Sequence, residues 1–177
     1  MNAIILAGGR GSRLQPWHAP KCLLLINGVP IIHRLLDHLV DSEKISAAIV
    51  CAGYRAADIF NWADSSGWDP AWLKISDTGE DVAMGERLLK ARKWPVIDTG
   101  RALICYGDEL ANVDLKDLIE GHEYRRLTNA GWPCEMTLTY TKAKKPGGTI
   151  FWKDESPHQF DATDEADDGA GGGGGAV

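Results

Sequence analysis

Gly8, Gly9 and Gly11 stand within four positions, with Arg10 between them, Ser12 and Arg13 directly after, and Lys21 eight residues beyond Arg13. Residues of these types in this order suit one kind of chemistry. Glycine lets a main chain turn sharply and approach a ligand closely, because no Cβ is in the way. Successive exposed backbone N–H groups in such a turn make a concavity for an anion. Arg10, Arg13 and Lys21 add positive charge around it. The stretch reads as a phosphate site, and three cations suit a triphosphate.

Two common glycine-rich phosphate loops are excluded. A P-loop needs a Lys-Ser or Lys-Thr pair after its last glycine, and none follows here. A dinucleotide fingerprint needs Gly-x-Gly-x-x-Gly opening a helix, whereas Gly9-x-Gly11 runs into Arg13-Leu14 and then Pro16.

A second group of residues belongs with the first. Ala102–Tyr106 reads as a buried strand that ends in Gly107-Asp108. In open α/β sheets ligands sit beyond the carboxyl ends of the strands, which brings Asp108 toward the glycine loop. A carboxylate beside a phosphate site repels it unless a cation bridges the two. Mg²⁺ fits, since it takes one or two carboxylates plus substrate phosphates. Taken alone, Asp108 reads better as a turn cap; beside the glycine loop, the metal reading is favoured.

The string Leu6-Ala7-Gly8-Gly9-x-Gly11-x-Arg13-Leu14, with Pro20-Lys21 after it, resembles the signature of the sugar-phosphate nucleotidyltransferases. Tyr106-Gly107-Asp108 and the residues after it resemble the metal-binding segment of the same family. Ile49–Tyr54, and Asp77-Thr78-Gly79 with Met84-Gly85-Glu86-Arg87-Leu88, are similar to one branch, the glucose-1-phosphate cytidylyltransferases. The resemblance covers roughly residues 2–152. It implies a three-layer, Rossmann-like α/β fold with a mostly parallel sheet, of the nucleotide-diphospho-sugar transferase type.

The resemblance also implies roles. Leu6, Ala7, Gly8 and Gly9 would line the nucleoside and its phosphates, and Gly11, Ser12 and Arg13 would hold the phosphates. Lys21 would reach the α-phosphate or the incoming sugar phosphate. Gly79, Gly85 and Arg87 would form the base-recognising loop, and Asp108 would hold Mg²⁺. Arg13, Lys21 and Asp108 would be the catalytic set. Departures exist: Glu86 stands where the branch has a second glycine, and Trp17-His18 replaces Leu-Thr. The family's Glu-Lys-Pro segment, its Asn-Ala-Gly segment for the sugar and its second metal-binding Asp are not found in these 177 residues.

The elements that must position these residues are legible as alternating β-like and helix-like stretches. Asn2–Ala7, Ala47–Ala52, Trp72–Ile75 and Arg101–Tyr106 read as strands, the last of them central. Cys22–Ile26 is a short apolar run closed by the turn pair Asn27-Gly28. Pro30–Val40, Arg55–Asp64, Asp81–Arg92 and Leu115–Tyr124 read as helices. The first of these carries Ile32, Leu35, Leu36 and Leu39 on one face. Met136–Lys142 and Thr149–Trp152 alternate as late strands, suited to an antiparallel element. Such alternation of β and α segments argues for helices on both faces of a mostly parallel sheet.

The 177 residues allow one domain with a sizeable core. The net charge of −6 is uneven. Residues 154–177 hold seven acids and no Lys or Arg, which leaves residues 1–153 at a net +1. The division expected is therefore a transferase domain over 1–153 and an acidic, glycine-rich, disordered tail over 154–177. No basic stripe points to nucleic acid. There is no run of about 18 apolar residues to cross a membrane and no signal segment at the start. Cys22, Cys51, Cys105 and Cys134 lack Cys-x-x-Cys spacing and read as reduced thiols of a cytoplasmic protein. The five histidines show no paired ligand spacing. Trp62, Trp68, Trp72 and Trp94 read as packing, while Trp17 is equally suited to packing or to stacking on a base.

These readings converge on a Mg²⁺-dependent nucleotidyltransferase. It would join an NTP, CTP first, to a sugar 1-phosphate or similar phosphorylated acceptor and release pyrophosphate. A homo-oligomer is compatible with them. The alternative is a catalytically weak nucleotide-binding or regulatory module lacking the acceptor half.

Overall fold

The computed structural model describes residues 1–11, 18–94, 101–128, 136–139, 149–153 and 156–161. Ser12, Arg13, Trp17 and Cys134, and the acidic and glycine-rich stretch from 162 onward, lie outside the described residues. The chain divides into two compact units, Met1–Glu135 and Met136–Val177.

The first unit begins with β1 (Asn2–Ala7), a single 3-10 turn over Lys21–Leu23, β2 (Leu25–Ile26) and β3 (Val29–Pro30). It continues through α1 (Ile31–Asp41), β4 (Ala47–Ala52), α2 (Ala56–Ser65), β5 (Leu73–Asp77), α3 (Met84–Ala91), β6 (Ala102–Tyr106) and α4 (Leu115–Thr128). Four strands form one parallel sheet in the order β5-β4-β1-β6. Within it Ile4 lies opposite both Ile49 and Ile104.

Side-chain alternation on β1 accounts for the layers. Ala3 and Ile5 face one side, where they pack with Ile32, Leu35, Leu36 and Leu39 of α1, Ile59 of α2, and Leu115 and Ile119 of α4. Ile4 and Leu6 face the other, with Cys51 and with Ala91 of α3. A strand buried on both faces must be apolar throughout, and that is the composition of Ala3–Ala7 and of Ala47–Ala52. The result is the three-layer α/β arrangement expected.

Local signals explain the element ends. Asn27 (φ 52°) and Gly28 (φ 77°) are both left-handed, the backbone a tight two-residue hairpin requires, and they join β2 to β3. Pro30 then precedes the first turn of α1, where its missing N–H is no loss. Ser42 closes that helix by donating its hydroxyl to the Leu39 carbonyl at 2.6 Å.

Several expectations are corrected. Arg101–Tyr106 reads as a central strand in the sequence. Among the described residues β6 instead lies at the sheet edge, paired to β1 alone, and Ile104 is half exposed. The helix expected from Asp81 starts only at Met84, because Glu80, Asp81 and Val82 are drawn into a loop beside the glycines. In the second unit, Met136–Thr139 is not a strand. There β7 (Thr149–Lys153) pairs antiparallel with β8 (Ser156–Asp161), so this hairpin runs across the boundary drawn at 153/154 from charge.

Cys22, Cys51 and Cys105 are free thiols. Three of the tryptophans pack as expected: Trp68 stacks on Trp72 with ring centroids 5.3 Å apart, and His33 meets Trp62 and Trp68 edge-on or tilted. No helix among the described residues is long and apolar enough to cross a membrane.

Leu36, fully buried between α1 and the sheet, sets a stability test. Leu36→Ala is expected to destabilise the fold by about 2–5 kcal/mol, the range for a leucine cavity that relaxes only partly. Urea unfolding followed by circular dichroism measures it.

Candidate functional site

The carboxyl ends of the four parallel strands meet at one edge of the sheet, and the loops that leave them build the site. Gly107 follows β6 and donates its N–H to the Leu6 carbonyl at 2.9 Å. A Cβ on Gly107 would lie 3.1 Å from that of Ala7 and 3.3 Å from that of Cys22. A side chain there would push these neighbours by a few tenths of an ångström; glycine lets β6 end this close to β1, and that approach delivers Asp108 beside Lys21. Thr78 follows β5 and donates its N–H to the Ala52 carbonyl at 2.9 Å, drawing the third loop against the end of β4.

Between these loops lies a cavity of about 360 Å³, within the range of small-ligand sites. Leu6, Ala7, Gly8 and Gly9 form one wall, with Lys21 and Cys22 adjoining. Glu80, Asp81, Val82, Met84 and Arg87 supply a further part of the lining, as do Tyr106 and Asp108. Seven residues singled out in the sequence therefore come together: Leu6, Ala7, Gly8, Gly9, Lys21, Arg87 and Asp108. Gly11, Gly79 and Gly85 do not line the cavity. Ser12 and Arg13 lie outside the described residues.

Gly11 acts through its neighbour. Its φ is +65°, and a Cβ there would come within 2.8 Å of the Lys21 stem. The glycine thus gives Lys21 a bed to lie on, and the ammonium ends 3.6 Å from Oδ2 of Asp108. Both side chains are about one-third exposed, at 29% and 35%, so a ligand can reach either. Cys22 beside them is a neutral thiol. Burial first, and then the Asp108 charge, push its pKa up to about 12, which leaves almost no thiolate for nucleophilic work.

Arg10 differs from its expected role as a mobile cation. It donates from Nε and Nη2 to the two carboxylate oxygens of Asp81 at 3.1 and 3.0 Å, and Nη2 lies 2.9 Å from Glu80. Its guanidinium also lies 5.6 Å from the Tyr54 ring centroid. Glu80 and Asp81 are among the residues that sequence reasoning missed in the cavity, with Cys22 and Val82. The signal available was the acidic pair directly after Asp77-Thr78-Gly79.

Arg87 is buried at 6% exposure. It donates to the carbonyls of Ala52 and Gly8 at 3.2 Å each and to that of Glu80 at 2.8 Å. It also donates to the Thr78 hydroxyl. One helical turn on, Lys90 donates to the Thr78 carbonyl at 2.9 Å.

The residues present fit Mg²⁺ in one way. Among the described residues no three His, Cys, Asp or Glu side chains converge to hold a metal unaided. Asp108 alone can offer one carboxylate, with ligand oxygens and water completing the shell, an arrangement this ion accepts because it dehydrates reluctantly.

Comparison with known proteins agrees with this geometry. The chain is 29% identical over 146 residues to the glucose-1-phosphate cytidylyltransferase of Salmonella typhimurium, covering 70% of this chain and 56% of that protein. It is 26% identical over 148 residues to the mannose-1-phosphate guanylyltransferase of Mycobacterium tuberculosis, covering 82% and 38%. Among solved structures, HddC from Yersinia pseudotuberculosis complexed with GMP-PN matches with a TM-score of 0.58 at 26% identity, over 68% of this chain and 53% of that one. The chain thus spans about half the length of the curated relatives it matches. Residues 3–119, the stretch that holds β1, the glycine loop, Lys21, Arg87 and Asp108, match the MobA-like NTP transferase domain, and the chain belongs to that family.

Proposed function

We propose that this protein transfers a nucleotidyl group from an NTP to a sugar 1-phosphate or a similar phosphorylated acceptor, and that CTP is the nucleotide to test first. A phosphate oxygen of the acceptor attacks the α-phosphorus in line. The α–β phosphoanhydride bond breaks, and its electron pair leaves with pyrophosphate. The observation that carries the reading is the convergence of Gly8, Gly9, Lys21 and Asp108 on one cavity, with Lys21 and Asp108 only 3.6 Å apart. The likeness to a glucose-1-phosphate cytidylyltransferase supports CTP; the likeness to a guanylyltransferase makes GTP the competitor.

Such a reaction asks the protein for position and charge rather than covalent chemistry. Lys21 sets an ammonium where negative charge grows on the α-phosphate. Main-chain amides of the glycine loop and Arg13 hold the β- and γ-phosphates. Asp108 orients Lys21 from its other side and is the carboxylate we assign to Mg²⁺, which would neutralise phosphate charge when bound, while Glu80 and Asp81 are taken up by Arg10. Leu6 and Ala7 line the nucleoside side, and the loop from Gly79 to Arg87, with Gly85 at the start of α3, selects the base.

Pyrophosphate release with four NTPs against a panel of sugar phosphates tests the reading. Release with no combination would refute it. Arg13→Ala is expected to lower turnover by about 10²–10³-fold, the effect of losing one preorganised charge from a transition state, with an unchanged circular dichroism spectrum. Wild-type turnover in that variant would remove Arg13 from the mechanism.

Asp108→Asn is expected to abolish the Mg²⁺ dependence of turnover while nucleotide binding through the glycine loop persists weakly. An unaltered Mg²⁺ titration of activity would show that the metal is held elsewhere. Residues 162–177 bring four more acids, Asp164, Glu165, Asp167 and Asp168, and nothing basic. We assign them no part in the reaction, so a chain ending at Asp161 should keep its NTP affinity and turnover. A large loss of Mg²⁺-dependent turnover on that truncation would mean that one of these acids serves as a metal ligand.

A further inference from the structure

Arg87 is the most heavily engaged buried side chain at the cavity, and every acceptor recorded for it is a neutral oxygen. Those acceptors come from three separate segments: Gly8 just after β1, Ala52 at the end of β4, and Thr78 and Glu80 after β5. Thr78, itself 1% exposed, donates in turn to the Ala52 carbonyl at 2.6 Å. The glycines around it are shaped to this guanidinium. The three atoms nearest to a Cβ on Gly8 would all belong to this guanidinium, at 2.1–2.8 Å, and a Cβ on Gly53 would fall on two of its atoms and on the Gly79 carbonyl. Lys90, on the same face of α3, holds the Thr78 carbonyl as well.

Holding a carbonyl also sets an amide. In a planar trans peptide the N–H of residue i+1 points opposite to the C=O of residue i. The Gly8 carbonyl accepts from the Tyr54 N–H at 3.1 Å and from this guanidinium at 3.2 Å, so Arg87 adds the second of two bonds that set the direction of the Gly9 N–H, one of the donors the phosphate loop would use. The same side chain, through Thr78 and Glu80, holds the loop that brings Glu80 into the cavity lining. We infer that Arg87 is a positioning residue: it locks the phosphate-binding peptide Gly8–Gly9 and the Thr78–Glu80 loop to each other, so that an NTP meets both walls of its site already in place. This rests on the nucleotidyl-transfer reading for its ligand, but the lock itself is a property of the protein alone.

Four divergent oxygens suit a guanidinium and exceed what one ammonium can reach. Arg87→Lys keeps the charge and should lose the lock. Amide hydrogen exchange reads that directly: Gly9 and residues 79–81 should exchange at least about tenfold faster, following the loss of charge-assisted bonds, while the interiors of β1 and β4 stay protected. Binding of the tightest of the four NTPs should weaken by at least a similar factor, and binding of inorganic tripolyphosphate, which meets one wall only, by less. Gly8→Ala keeps the arginine at position 87 but displaces its guanidinium, so it should reproduce both effects. Added to Arg87→Met it should weaken binding no further, because the atoms it collides with are gone. This second route also holds if an Arg87 variant folds poorly.

Unchanged exchange at Gly9 and 79–81 would overturn the lock, whatever happens to binding. With exchange unchanged, equal losses for NTP and tripolyphosphate would make Arg87 a direct phosphate ligand, and a loss for NTP alone would make it a base contact. A wild-type protein that binds no NTP, yet shows the exchange effect in Arg87→Lys, would refute nucleotidyl transfer and leave the lock standing.

Discussion

Complete burial of β1 on both faces is the constraint from which the rest of the molecule follows. Ala3 and Ile5 are fully buried on one side and Ile4 and Leu6 nearly so on the other, with β4 and β6 paired along the two edges of the strand. Such a strand can exist only if helices cover the sheet above and below, and parallel neighbours require crossover connections long enough to supply those helices. The same geometry places every strand's carboxyl end at one rim. The chain must leave β1 there, and Gly8–Gly11 is what it leaves through. Position of the site is thus a consequence of how the core is filled.

Charge at that rim is more balanced than the run of arginines and lysine suggests. Arg10 faces Asp81 and Glu80, Lys21 faces Asp108, and Arg87 faces neutral oxygens. The first two pairs are partly exposed and weak as contributions to stability. They do hold long, mobile side chains in defined places around the cavity. Arg87 is of another kind, because its guanidinium is buried and its positive charge is not cancelled by any carboxylate partner recorded among the described residues. With Glu80, Asp81 and Asp108 set against Lys21 and Arg87 in the cavity lining, attraction for an anion rests on where the buried guanidinium and the loop amides lie rather than on the net charge of the wall.

Legibility in the sequence followed how local the governing physics was. β1, β4 and α1 could be read nearly to their ends, because two-sided burial gives continuous apolar runs and one-sided burial gives the Ile32, Leu35, Leu36, Leu39 spacing. Asn27-Gly28 announced its turn through backbone conformation alone. The position of β6 at the edge was not legible: Ala102–Tyr106 is as apolar as a central strand, and nothing within those five residues says how many neighbours it has. Likewise the late start of α3 depends on Arg10, some seventy residues earlier, which draws Glu80 and Asp81 into a loop. The core of the site was readable because Lys21 and Asp108 belong to segments with strong patterns of their own. Glu80, Asp81 and Cys22 were missed because only the fold brings them to the cavity.

The glycines mark the difference between the two kinds of information most sharply. In the sequence, Gly8, Gly9 and Gly11 have one shared explanation, close approach of a main chain to phosphate. In the folded chain each has its own circumstance. Gly11 is left-handed and carries the stem of Lys21; Gly8 leaves room for the Arg87 guanidinium; Gly9 has, among the described residues, nothing within 4 Å of where a Cβ would go. Gly53 and Gly107, far away in sequence, meet the same need for room, one at Arg87 and one between Ala7 and Cys22. Two of the three loop glycines are therefore already demanded by the protein's own side chains. Of the three, Gly9 is the one whose missing Cβ no described residue explains, which keeps close approach of the main chain to a ligand as its reason.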